Sequence, residues 1–348
     1  MIIYPDAVLN GSKIGVTAMS AGIDDERSLI KTEAAIQKLT NKGFKIVETP
    51  DLRAHQKFVS ATAEIRSNEF LSLWEREDIL YMPIAFGGEF LMETIPYLHH
   101  NKNRIIRAKP KWVQGFSDVS LLLFYLTTNY NIATVHTYSF SAYAMDNWHK
   151  SIEMPFKFVT NPSDFMQESF DEYEKDRNRE IGAECNSFNL TEKVEYKSLF
   201  GEDSIKMNGR LIGGCMDVIK VLLGTPYDNT KSFCGDFKEG MLWYLENCEM
   251  PITDVKRTLW QMRESGWFDN ANGFLIGRTA NCTTMDDFTY EDALKDVLEE
   301  LGVPVVYNVD IGHVMPQWTM INGAFAEFSY ENGKGMINQK MIWFKKFV

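Results

Sequence analysis

Residues 79 to 88 read ILYMPIAFGG, a continuous apolar run closed by two glycines. A strand that is apolar on both faces must be buried on both, and that happens inside a parallel sheet covered by helices on either side. The flanking sequence fits this constraint. KIGVTA (13 to 18) and FKIVET (44 to 49) read as strands. Residues 25 to 44 have helical spacing and close on Gly43, and residues 60 to 78 have it with Ser60 or Thr62 placed to cap. A helix from about 90 to 100, the strand WVQGF, a helix from 118 to 129 and the strand IATVHT complete the series. Such β-α-β alternation predicts an α/β fold built on a parallel sheet.

At 348 residues the chain fits two domains of ordinary size. The texture changes between 161 and 200, where NPSDFMQESFDEYEKDRNREIGAEC is highly charged and lacks an apolar stripe; this stretch reads as linker or lid. The expected division is therefore 1–160, then 161–200, then a second unit at 201–348. That unit opens with GRLIGGCMDVIKVLLGT and continues through MLWYLENCE, a helix near 254 to 266, GFLIGRT, a helix near 290 to 301, PVVYNVDIGH and a β-rich end.

The net charge of −12 is spread along the chain and disfavours a nucleic-acid backbone or an anionic membrane as partner. No stretch approaches the roughly 20 apolar residues of a membrane span, and no secretory signal is visible at the start. The five cysteines, Cys185, Cys215, Cys234, Cys248 and Cys282, contain no C-x-x-C pair and suit reduced thiols in a cytoplasm. No zinc-ligand spacing such as H-E-x-x-H occurs, so neither metal nor cofactor is expected.

Three separated segments carry chemistry. In GFSDVS, Ser117 lies where a strand hands over to a helix, the sheet end at which ligands bind in α/β folds. It reads either as a helix cap beside Asp118 or as a nucleophile, which would need a base to take its proton. The amide of Asp118 would then face a developing oxyanion. The second glycine of the usual nucleophile elbow is replaced by Val119. In AFGGEF, the Gly88 amide is the candidate second oxyanion donor, against a simple turn into the next helix. In the second unit, Glu246 and His313 each end an apolar strand-like run. A carboxylate can hold an imidazole in the tautomer that lets it shuttle a proton; singly, each also reads as an ordinary strand-end or loop residue. His136, at the end of IATVHT, is the rival base.

In this order the segments resemble the serine LD-carboxypeptidase family (peptidase family S66), which includes muramoyl-tetrapeptide carboxypeptidases and microcin C immunity peptidases. The resemblance extends over most of the chain: IGVTAMSAG, the S-A-T-A-E-I-R helix, GFSDVS, GRLIGGC with GTPY, YLEN, and IGHVMP. It implies a Rossmann-like N-terminal domain carrying the nucleophile and a smaller β-rich C-terminal domain carrying acid and base. Ser117 would be the nucleophile, Glu246 the orienting acid and His313 the base, with Gly88 and Asp118 as main-chain oxyanion donors. The expected activity is hydrolysis of an amide in a small peptide, muropeptide or peptidyl or aminoacyl-nucleotide, by a cytoplasmic homodimer. Phe86 stands where the muropeptide-cleaving branch often has Arg, which leans toward the immunity-peptidase-like branch. Trp148, in TYSFSAYAMDNWH, would offer a stacking surface for a nucleobase or pack beneath the linker. The alternatives are an α/β-hydrolase-like esterase, which shares the order Ser, acid, His, and a non-catalytic peptide- or nucleotide-binding protein.

Overall fold

A computed structural model describes residues 1–23, 25–175, 182–279 and 284–342. The chain forms two α/β units, each on its own sheet. The first sheet has six strands, with Lys13–Val16, Lys45–Glu48, Ile79–Pro83, Trp112–Gly115 and Thr134–His136 all parallel. Ile79–Pro83 sits near its middle and is almost wholly buried, as a run apolar on both faces requires. Helices Glu26–Asn41, Ala63–Trp74 and Val119–Tyr130 connect the strands. Asp25 and Thr62 cap the first two, each accepting the amide three residues on. The third is buried along nearly all its length, so it has no polar face to give it a one-sided stripe.

The second sheet has eight strands. Arg210–Cys215 (the end of Ser204–Cys215), Met241–Glu246, Ala271–Gly277 and Val305–Val309 run parallel through its centre. Phe325–Glu331 and Lys334–Lys340 add antiparallel strands at one side. Helices Ile252–Glu264 and Tyr290–Leu298 connect its central strands and pack on each other. The parallel centre accounts for the apolar runs MLWYL and PVVYNV, which are buried throughout or nearly so.

The structure departs from the expected organisation in two places. The segment 161–200, read as linker or lid, supplies strands: Phe165–Glu168 pairs with Lys334–Lys340, and Lys197–Ser198 pairs with Val305–Val309. These edge strands are four and two residues long and bury only Gln167, too short and too exposed to register as strands in sequence. Residues 176–181 of that segment lie outside the described residues. The second departure is Met320–Asn322, which leaves the C-terminal unit and pairs antiparallel with Thr134–His136 at the edge of the first sheet. Asn322 secures the crossing by accepting from Gly213 N (3.1 Å) and Tyr244 OH (2.8 Å) and donating to Thr134 Oγ1 (3.3 Å).

Candidate active site

The carboxyl ends of two neighbouring strands, Ile79–Pro83 and Trp112–Gly115, carry the glycine pair and Ser117 side by side. Ser117 has φ +60°, a left-handed conformation that is rare outside glycine and marks strain held at a site. Capping does not explain it. Helix Val119–Tyr130 has Asp118 at its N-cap position with no side-chain cap bond. Instead the buried Asp118 carboxylate accepts Ser20 Oγ at 2.5 Å and Leu91 N at 2.9 Å, tying three loops together beneath Ser117. Burial pushes that carboxyl above its usual range, against the hydrogen bonds from Ser20 and Leu91. Val119 fits where an elbow normally has glycine because Gly115 lies opposite: a Cβ there would stand 2.5 Å from Val119 Cγ1.

Gly87 and Gly88 close on this turn. A Cβ on Gly87 would sit 2.9 Å from Ser117 Cβ and 3.1 Å from its Oγ. Gly88 has φ +146°, and a Cβ there would strike Ser20 Oγ at 2.3 Å. Among the described residues no backbone acceptor takes the Gly88 or Asp118 amide. Arg66, wholly buried, donates to the carbonyls of Ala61, Met19 and Phe90 and pairs with Glu93 at 2.7 Å, fixing the loops on both sides of the glycines.

Glu246 and His313 meet. His313 Nδ1 lies 2.9 Å from Glu246 Oε2, and the Glu246 side chain is fully buried at the end of its strand. Gly312, at φ +96°, permits the approach, since a Cβ there would stand 2.5 Å from that same oxygen. Burial alone would raise the Glu246 pKa, but the adjoining His313 ring outweighs it and holds the carboxyl below its usual range. On His313 burial works against charge, and the Glu246 carboxylate overcomes it, raising the imidazole above its usual 6.5. Phe116, the residue before Ser117, packs its ring 4.9 Å from the His313 ring. Ser117, Gly87, Gly88 and His313 line one cleft of about 610 Å³.

His136 is elsewhere engaged. It is fully buried between the two sheets, with Nε2 3.1 Å from Ser120 Oγ and its ring against Tyr244, and burial lowers its pKa to about 4. The structure does not bring Trp148 to the cleft. Its Nε1 donates to Tyr143 O at 3.0 Å, its ring packs on Tyr143 and Phe156, and Lys42 covers it at 4.6 Å. An amphipathic ring near a polar segment looks the same in sequence whether it stacks on a ligand or covers a core.

Sequence reasoning missed a supporting group beneath the His313 loop. Asp310, buried, accepts from Tyr196 OH (2.5 Å), Phe170 N (2.8 Å) and Arg278. Arg278 also donates to Val314 O and Pro316 O, on the far side of His313. The available signal was a charged residue ending each of two apolar strands, GFLIGR and YNVD.

Two family models match, the LD-carboxypeptidase N-terminal domain over residues 14–137 and the LD-carboxypeptidase C-terminal domain over 208–328. Together they span most of the chain, and the protein belongs to the LD-carboxypeptidase family, a family of serine peptidases. Among curated relatives, the Microcin C7 self-immunity protein MccF of Escherichia coli is 23% identical, with 88% of each chain covered. The Probable murein peptide carboxypeptidase of Bacillus subtilis (strain 168) is 22% identical, covering 92% of this chain and 90% of that one. Among solved structures, an MccF-like protein from Bacillus anthracis str. Ames superposes with a TM-score of 0.80 at 21% identity, covering 97% of this chain and 99% of the other. MccF in complex with glutamyl sulfamoyl guanosine gives 0.79 at 17% identity, covering 98% and 99%. These neighbours share the two-domain architecture with parallel-strand sheets. Among the described residues no helix is long and apolar enough to cross a membrane.

Proposed function

We propose that this peptidase works through a Ser117–His313–Glu246 triad and cleaves an amide in an aminoacyl- or peptidyl-nucleotide in preference to a muropeptide. Ser117 Oγ attacks the carbonyl, His313 takes its proton and returns it to the leaving amine, and water then releases the acyl group. The Gly88 and Asp118 amides bind the oxyanion. The observation that carries the reading is the Nδ1–Oε2 contact of 2.9 Å between His313 and a fully buried Glu246, in a cleft shared with a left-handed Ser117.

Two features favour the nucleotide class. Phe86, not a cation, lines the cleft beside Gly87. Phe188 also lines it, backed by the buried ring of Tyr138 with centroids 6.0 Å apart, an aromatic surface suited to a planar base in the place first given to Trp148. A cleft of about 610 Å³ is within the usual range for a ligand of that size. One structural neighbour is a complex with glutamyl sulfamoyl guanosine. Cytoplasmic residence and assembly as a homodimer complete the proposal, the latter checked by light scattering on the eluting protein.

The test is to incubate the purified protein and its Ser117→Ala variant with an aminoacyl-sulfamoyl adenylate and with a muropeptide, then weigh the products. Wild-type protein should release the free amino acid from the adenylate faster than it trims the muropeptide, and the folded variant should release neither. Faster turnover of the muropeptide would reverse the substrate assignment. Equal turnover by Ser117→Ala would refute the nucleophile.

A further inference from the structure

The proposed mechanism uses Glu246 and His313 and leaves out the thiols beside them. Cys215 ends the strand Ser204–Cys215 in register with Glu246 and is 1% exposed. Its Sγ, a carboxylate oxygen of Glu246 and a ring nitrogen of His313 lie within 4.8 Å of one another. Cys248, two residues past Glu246, is close enough to the His313 ring to favour its charged form. Asp217 braces both cysteines, accepting Cys215 Sγ at 3.4 Å and the Cys248 amide at 3.0 Å. Neither cysteine is in a disulfide. The other oxygen of the fully buried Glu246, Oε1, has no hydrogen-bond partner among the described residues. A buried carboxylate oxygen in that position is costly unless an ion or water serves it.

We propose that Cys215, Glu246 and His313 bind a thiophilic divalent cation of the Zn²⁺ class, with Cys248 as fourth ligand, and that the bound cation stops the peptidase. Sulfur, imidazole nitrogen and carboxylate oxygen are the donors Zn²⁺ takes in tetrahedral sites. Its bond lengths of about 2.0–2.3 Å place ligand atoms about 3.5 Å apart. Atoms that lie within 4.8 Å of one another need to close by at most about 1.3 Å, while the His313–Glu246 contact of 2.9 Å opens slightly. Hard cations such as Mg²⁺ and Ca²⁺ prefer all-oxygen cages and gain nothing from the thiols. Binding expels to solvent the thiol protons and the proton on the coordinating His313 nitrogen. An imidazole and carboxylate held by the cation no longer relay a proton from Ser117. Inhibition thus rests on the triad reading, whereas cation binding does not.

The experiment titrates the metal-free, full-length protein with Co²⁺, following thiolate-to-cobalt charge-transfer absorption, and measures peptidase inhibition by Zn²⁺ before and after a chelator. Wild-type protein should show the thiolate band with a single equivalent of Co²⁺. Cys215→Ser should weaken the band, leaving only what the Cys248 thiolate gives, and weaken binding by at least about tenfold, since even outer-shell losses cost that much; Cys248→Ser should weaken both too. Cys215→Ala, checked for fold by circular dichroism, should repeat the result. Zn²⁺, but not Mg²⁺, should inhibit reversibly, and Cys215→Ser, compared with its own chelated rate, should need at least about tenfold more Zn²⁺. Absence of a thiolate band and of stoichiometric Zn²⁺ uptake in wild-type protein overturns the site. A thiolate band with an unchanged rate in Zn²⁺ overturns the inhibition. A Cys215-dependent band in protein that cleaves no amide supports the site and refutes the triad reading instead.

Discussion

In the proposed triad Glu246 acts through the ring it holds. Because its carboxylate raises the His313 pKa above 6.5, the ring stays protonated to a higher pH than a solvent-exposed histidine would. A general base acts only when unprotonated, so kcat/KM should climb with pH along a limb centred above 6.5. In Glu246→Gln the raising charge is gone and burial remains, so the limb should move downward while kcat falls. A pH–rate profile that is the same in both proteins would separate Glu246 from the base. At the oxyanion turn, Gly87→Ala sets a methyl 2.9 Å from Ser117 Cβ. It should cost kcat on the order of 10²-fold by displacing the Ser117 turn and its donors, with little change in melting temperature, because the clash faces the cleft. An unfolded Gly87→Ala would show instead that the glycine serves the fold.

At the level of elements, Ser117 and His313 of the proposed triad sit on loops whose positions are set elsewhere, and Glu246 ends a strand. The loop bearing His313 is held by Arg278, reaching from the neighbouring strand Ala271–Gly277, and Arg278 in turn compensates the buried Asp310. Arg278→Ala would leave that carboxylate uncompensated, so stability should fall by about 3–5 kcal/mol in a denaturant titration. Arg278→Lys, which keeps charge but not the planar fork, should recover only part of it. No loss in Arg278→Ala would mean that the carboxyl is protonated and the clamp unnecessary. The elements themselves were legible where their signals are local. A both-faces-apolar run gave the central strand, Gly43 closed its helix, and GFSDVS marked the strand-to-helix turn. The strands at 165–168 and 197–198 were not legible, because each is an edge made by pairing with residues more than a hundred positions away. His136 ends a strand and His313 sits on the loop after one, which look alike in sequence, and only the fold shows that one faces Ser120 and the other Glu246. Cys215 read as a scattered thiol for the same reason.

Across the whole molecule, the two units are stitched by the strand Met320–Asn322 lying on the edge of the first sheet. The seam is tight: helix Val119–Tyr130 packs on the strand Ser204–Cys215, and a Cβ on Gly214 would stand 3.0 Å from Ser120 Cβ. The units should therefore unfold together, in one calorimetric transition, and Asn322→Ala should lower the stability of both by about 1–3 kcal/mol through the donors it leaves unmet. Two separate transitions would mean that the seam is weaker than its hydrogen bonds indicate. The same seam brings a serine from one sheet and an imidazole from the other to a common cleft. Intact-mass analysis after treatment with a fluorophosphonate tests that arrangement most directly. A single adduct mapped to Ser117 is expected, formed at least about 10³-fold more slowly in His313→Ala. An adduct on Ser117 that forms as fast without His313, or one on another residue, would contradict it.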